Sequence, residues 1–137
     1  MKSKIGFDLD GTIACLDIAA MRRTKTRQEL TSYYKSRWLV MDPNSEAQTD
    51  NIYIVTTRPE WARQLTKEWL HEHNVRYEKL IMLDFKGYES NKNWELVHAQ
   101  AKAEALKQEG ITKYYEDMPG IVNHLRAITD IEIVLVE

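Results

Sequence analysis

Phe7-Asp8-Leu9-Asp10-Gly11-Thr12 is the stretch on which the reading of this chain turns. It closes a short apolar run, Lys4 to Asp8, with the character of a buried strand. In an open parallel sheet, ligands bind beyond the carboxyl ends of the strands, so acids at this position read as a site rather than a core. Alternation along an extended chain puts Asp8 and Asp10 on one side, roughly 6 to 7 Å apart, with Leu9 turned the other way. Two like charges held this close either share a proton or recruit a divalent cation. Gly11 then permits a sharp turn of the backbone. An acidic turn with no further role is the plainer reading, since Asp and Gly form turns readily.

Four more apolar runs read as strands: Ile52 to Thr56, Leu80 to Leu83, Tyr114 to Glu116 and Ile131 to Val136. Helical patterns separate them. From Pro59 to His73, Trp61, Leu65 and Trp69 recur at i, i+4 and i+8, with Pro59 suited to the first turn and Asn74 to the end. Trp94 to Glu109 is rich in Ala, Glu, Lys and Gln, with Asn93 before it and Gly110 after it. Pro119 opens a third helix that ends near Ala127. Strand and helix alternating in this way predict right-handed crossovers and a parallel sheet covered on both faces, an α/β fold. The exception is the long stretch from Ile13 to Asp50, in which Asp17 to Met41 looks helical and Asp42-Pro43-Asn44-Ser45-Glu46 looks like a loop.

The length of 137 residues suits one domain, expected to span 1–137 with a helical insertion at about 13–50. Nineteen basic residues against 21 acidic ones give a net charge of -2, so the whole molecule is no polycation and any affinity for an anionic polymer must be local. One cysteine, Cys15, excludes an intramolecular disulfide and a stapled secreted scaffold. A reducing, cytoplasmic setting is the expectation. The start of the chain meets Asp8 before any apolar segment of signal-peptide length develops, and no run is long enough to span a membrane.

The opening motif, Asp8-Leu9-Asp10-Gly11-Thr12, resembles the first motif of the haloacid dehalogenase superfamily of phosphotransferases. Three further motifs of that family find matches in order: Thr56 closing the second strand, Lys102 on the helix before the fourth, and Glu116-Asp117 closing the fourth. The resemblance covers residues 4 to 136. It implies a Rossmann-like three-layer sandwich with a five-stranded parallel sheet and, here, a small helical flap after the first strand. It also implies a phosphatase using Mg²⁺, with Asp8 as a nucleophile that becomes an aspartyl phosphate and Asp10 as acid and then base. The implied cation ligands are Asp8, Asp117 and the backbone carbonyl of Asp10, an all-oxygen set suited to Mg²⁺. Whether Glu116 joins them is left open. Thr56 and Lys102 would bind the phosphoryl group, with Thr57 and Arg58 reinforcing it from a helix N-terminus. Lys102 lies roughly 13 to 14 Å along its helix from Asn93, so Lys92, at the mouth of that helix, is the alternative lysine.

The insertion bears on substrate. Between Asp17 and Trp38, six basic residues (Arg22, Arg23, Lys25, Arg27, Lys35, Arg37) face two acids, with Tyr33, Tyr34 and Trp38 among them. Charge and flat rings together would suit a nucleotide or a nucleic-acid end. A solvated helix whose Tyr34 and Trp38 pack on the sheet is the competing reading. A phosphomonoester hydrolase acting on nucleotides, nucleic-acid ends or small metabolite phosphates is therefore the expected activity. A receiver-type phosphoacceptor module, with Asp84 as acceptor, is a distant alternative, because the places for its Thr or Ser and its Lys hold Glu116-Asp117 and Glu137. A non-catalytic binding domain is a third. His71 and His73 are two apart and cannot form the i, i+4 zinc pair, His98 and His124 stand alone, and Cys15 lacks an evident His partner.

Overall fold

The computed structural model describes residues 4–41, 52–85 and 93–136. Five strands form one all-parallel sheet: β1 (Ile5–Asp8), β2 (Ile52–Thr56), β3 (Lys79–Met82), β4 (Lys113–Glu116) and β5 (Glu132–Leu135). Their order across the sheet is β3-β2-β1-β4-β5. β1 is central, with Phe7 opposite Ile54 on one side and Tyr115 on the other.

Among the described residues, five α-helices accompany the sheet: α1 (Ile18–Arg23), α2 (Arg27–Lys35), α3 (Arg63–Glu72), α4 (Trp94–Glu109) and α5 (Pro119–Ile128). Strand alternation sorts them to two faces. Phe7, Leu9, Ile52 and Ile54 pack with Trp69 and Leu70 of α3. Tyr53, Val55, Tyr114 and Ile133 pack with Ala99, Ala103 and Leu106 of α4 and Ile121, Val122 and Leu125 of α5. The result is a three-layer α/β fold. Each fully buried aliphatic side chain in these layers contributes about 1.5 to 3 kcal/mol of apolar burial.

The strand order has a consequence for function. From β1 the chain moves to β2 and β3, and from β4 it moves the opposite way to β5. The direction reverses between β1 and β4, and such a reversal opens a crevice at the strand tips. Asp8 and Glu116 are the last residues of those two strands.

Two helical expectations need correction. Asp17 to Met41 is two short helices rather than one, because Asp17 caps α1 through a hydrogen bond from the Ala20 amide (3.0 Å) and Thr26 caps α2 through one from the Glu29 amide (3.0 Å). After α2 the chain returns to the loop that follows β1, where Leu39 forms an isolated antiparallel bridge to Ala14. The helix expected from Pro59 begins as a single 3-10 turn, Glu60–Ala62, before α3. Gly110 does close α4 in the left-handed conformation, and Asn74 lies left-handed just beyond α3. The loop expected at Asp42 to Glu46 lies outside the described residues. Among the described residues no helix is long and apolar enough to cross a membrane.

Candidate active site at the β1–β4 crevice

β1 leads into a loop wound around one carbonyl. The amides of Thr12, Ile13 and Ala14 all donate to the Leu9 carbonyl, at 2.9 to 3.2 Å, and Gly11 donates to that of Ala14 at 2.8 Å. Leu9 itself is fully buried on the α3 face, as alternation predicts. Gly11 has φ of 91°, a left-handed conformation, and a Cβ there would overlap the Asp117 carboxylate. A side chain is excluded twice over, by backbone strain and by space.

Asp8 points into the crevice and meets α4. The Lys102 ammonium lies 3.2 Å from Asp8 Oδ1 and donates to Glu116 Oε1 at 2.5 Å. Lys102 and Glu116 are essentially without solvent exposure. The roughly 13 to 14 Å that separate Lys102 from Asn93 along the helix do not keep it from Asp8. Lys102, on the third turn of α4, is the level at which this helix meets the ends of β1 and β4. Lys92 lies outside the described residues.

Glu116 is held at several points. Its Oε2 accepts from the amides of Asp117 (3.1 Å) and Met118 (3.4 Å), and Tyr114 donates its hydroxyl to Oε1 at 3.4 Å. Asp8, Glu116 and Asp117 can bring one carboxylate oxygen each within 4.8 Å of the others. Asp117 Oδ1 is buried and has no hydrogen-bond partner. Three carboxylates stand against one ammonium, a deficit of positive charge that a divalent cation would fill.

The electrostatics follow from burial. Asp8 is raised well above the ordinary carboxylate range, first by desolvation and then by the charge of Glu116, with Lys102 opposing. Desolvation also raises Asp117, to about 6. Burial would raise Glu116 too, but the charge of Lys102 and its hydrogen bonds bring it down to about 2. Lys102 stays cationic, because Asp8, Tyr114 and Glu116 outweigh its desolvation.

Asp10 does not join this group. Its side chain turns toward β2, where Arg58 grips it with two parallel hydrogen bonds, Nε to Oδ2 at 3.0 Å and Nη2 to Oδ1 at 2.7 Å. The two acids of the opening motif therefore diverge, since the tight loop after Leu9 ends the extended alternation. Arg58, expected at a phosphate, is buried and engaged on every side. Its Nη1 donates to Thr66 Oγ1 at 3.0 Å, and its guanidinium lies 3.9 Å from the Tyr34 ring centroid. Burial opposes its charge, yet Asp10 carries its pKa upward. Thr56 closes β2 fully buried, its hydroxyl accepting from the Arg58 amide at 3.2 Å, and Thr57 follows it half-buried.

The flap frames the Asp10 side. Tyr33 and Tyr34 are buried, with Trp61 6.4 Å from Tyr34. Arg37 stacks on Tyr33 at 4.0 Å and lies 5.5 Å from the ring of Trp38, which is 61% exposed. Tyr34 thus packs inward while Trp38 does not. Arg23, Arg37, Tyr33, Ser32 and Ser36 border an open groove between α1 and α2. Cys15 accepts hydrogen bonds from the Trp38 amide at 3.3 Å and from Arg37 at 3.6 Å, a structural use of its sulfur. On the other side His98 is buried with the Phe85 ring centroid 5.2 Å away, its pKa lowered to about 3 by desolvation and then by Lys102. The contacts of Thr66 and Tyr34 with Arg58 carried no signal in the sequence, because they join three separate segments.

No family model and no curated protein sequence matches the chain. Its fold does match solved structures. Chains from two structures, "Structure of the Pnkp1/Rnl/Hen1 RNA repair complex" and "Structure of Pnkp1/Rnl/Hen1 complex", each superpose with a TM-score of 0.67 at 18% identity, covering 98% of this chain. This chain spans 42% and 45% of those neighbours, so it corresponds to less than half of each, and what it shares with them is the α/β fold described above.

Proposed function

We propose that this protein is a Mg²⁺-dependent phosphomonoester hydrolase of the haloacid dehalogenase type, working through a phosphoryl group carried on Asp8. The observation that carries the reading is the Asp8–Lys102–Glu116–Asp117 cluster at the reversal point of the sheet. The buried, unbonded Asp117 Oδ1 and the all-oxygen donor set fit a hard divalent cation held by Asp8 and Asp117. When bound, Mg²⁺ supplies positive charge that favours ionised Asp8 and lessens its repulsion of a phosphate dianion. Glu116 holds Lys102 rather than competing for the cation.

The residues then divide the work. An Asp8 carboxylate oxygen attacks phosphorus, the bond from phosphorus to the ester oxygen breaks, and Asp10 gives that oxygen a proton. In the second half, water attacks phosphorus, Asp10 takes the proton back, and Asp8 is released as carboxylate with inorganic phosphate. Lys102 and the Thr56 hydroxyl face the charge that develops on the phosphoryl oxygens. Thr57 lies beside Thr56 at the same strand tip.

The basic, ring-bearing flap supports a phosphorylated nucleotide or nucleic-acid end as substrate, and the RNA repair context of the two fold neighbours is compatible with it. Phosphate release from nucleotides, 3′-phosphorylated oligonucleotides and sugar phosphates, measured with Mg²⁺ and with a chelator, tests both parts. Preference for the first two with loss on chelation is expected. Activity indifferent to chelation would remove the cation, and equal turnover of sugar phosphates would remove the nucleotide preference in favour of a metabolite phosphatase.

A further inference from the structure

Asp10 turns away from the Asp8 cluster and is held by a cation that the chemistry above does not use. Four groups converge on Arg58: both oxygens of Asp10, the Thr66 hydroxyl and the face of Tyr34. They belong to the β1 loop, α3 and the flap helix α2, respectively. Thr66 is itself fixed, donating its hydroxyl to the Ala62 carbonyl at 2.7 Å. The guanidinium fork matches a carboxylate in one orientation only, so it sets where the Asp10 oxygens point as well as where the residue lies. Tyr34, in turn, shares its small cluster with Ala62 and Trp61, and this cluster seats α2 against the start of α3.

We infer that Arg58 is the positioning residue for Asp10, with Thr66 and the Tyr34 ring holding the guanidinium in place. The inference rests on the reading of Asp10 as the proton donor to the leaving oxygen.

Leaving-group dependence separates this role from a merely structural one. A nitrophenolate departs without a proton, whereas an alkoxide does not. Hydrolysis of nitrophenyl phosphate and of an alkyl phosphate is compared in the parent, Asp10→Asn, Arg58→Lys, Thr66→Val and the double variant Asp10→Asn with Arg58→Lys. Arg58→Lys keeps the charge and loses the fork, and kcat on the alkyl ester is expected to fall by about ten- to a hundredfold relative to the aryl ester, the scale of a misplaced catalytic group. Thr66→Val, nearly isosteric, is expected to lower the alkyl-to-aryl ratio several-fold, which keeps the test intact if Arg58→Lys folds poorly. In the Asp10→Asn background, Arg58→Lys is expected to leave the alkyl-to-aryl ratio where Asp10→Asn put it. Equal changes on both esters in the single Arg58 and Thr66 variants would overturn the positioning role while leaving Asp10 as donor. If Asp10→Asn itself affects both esters equally, the assignment of Asp10 fails and the inference fails with it.

Discussion

The two sides of the first loop are built differently. Toward β4, Asp8 meets Lys102 and Glu116, whose side chains are 1% and 0% exposed, in a crevice fixed by strand pairing and by a four-turn helix. Toward the flap, α1 has no buried residue, α2 buries only Tyr33 and Tyr34, and Ile18, Val40 and Trp38 stand 44%, 49% and 61% exposed. The first region is preorganised, with charges desolvated and their geometry set before any ligand arrives. The second has little apolar area to hold it and correspondingly little to lose by moving. Under the proposed function, reaction and access would fall to parts of unequal burial, with Arg58 in contact with both.

The contrast is broken most sharply at Asp8. Asp8→Asn is expected to lower phosphate release on the order of a thousandfold or more while the fold survives, because the amide keeps the shape and removes a charge that burial already disfavours. A variant that unfolds, or one that still turns over, would show that the crevice is not organised around this carboxylate. Gly11→Ala comes next. Its Cβ meets Asp117 in a left-handed backbone, so a loss of about 1 to 3 kcal/mol in denaturant unfolding is expected, with activity falling alongside.

The rigid side should also respond to acid. His98 has its folded pKa lowered to about 3, against about 6.5 in an unfolded chain, so the unfolded state binds the extra proton. The stability linked to His98 is whole above about pH 6.5 and is lost as pH falls toward 3, by up to a few kcal/mol. His98→Leu should therefore flatten the fall in stability between pH 6 and 4, read by thermal melts across that range; an unchanged slope would mean the ring accepts a proton in place. The flap gives the smallest effect on stability. Trp38→Ala is expected to shift unfolding by about 0.5 kcal/mol or less while raising KM for an oligonucleotide substrate several-fold and leaving KM for nitrophenyl phosphate alone. A KM that does not move for either substrate would take the exposed ring out of substrate binding.

The rigid region was also the more legible in sequence. Local patterns marked the β1 tip, the five strands and the left-handed Gly110 that ends α4, because each depends on neighbours along the chain. The break between α1 and α2 had a local signal as well, the Thr26-Arg27-Gln28-Glu29 capping box, which the continuous charge and ring pattern obscured. The approach of Lys102 to Asp8 is not legible from its place in the chain, because periodicity gives a helix's length and not its height against the sheet. The Arg58 grip on Asp10 joins residues 48 apart, and the Glu116 hold on Lys102 spans 14. Such long-range pairings leave no period to read.

The central claim is that Asp8 carries the phosphoryl group during turnover. Rapid acid quench of the parent with substrate, followed by peptide mass mapping, tests it directly. The account predicts one phosphoryl mass on the peptide holding Asp8, removed by hydroxylamine and missing in Asp8→Asn. Turnover with no such adduct, or an adduct on Asp84 that persists in Asp8→Asn, would contradict it.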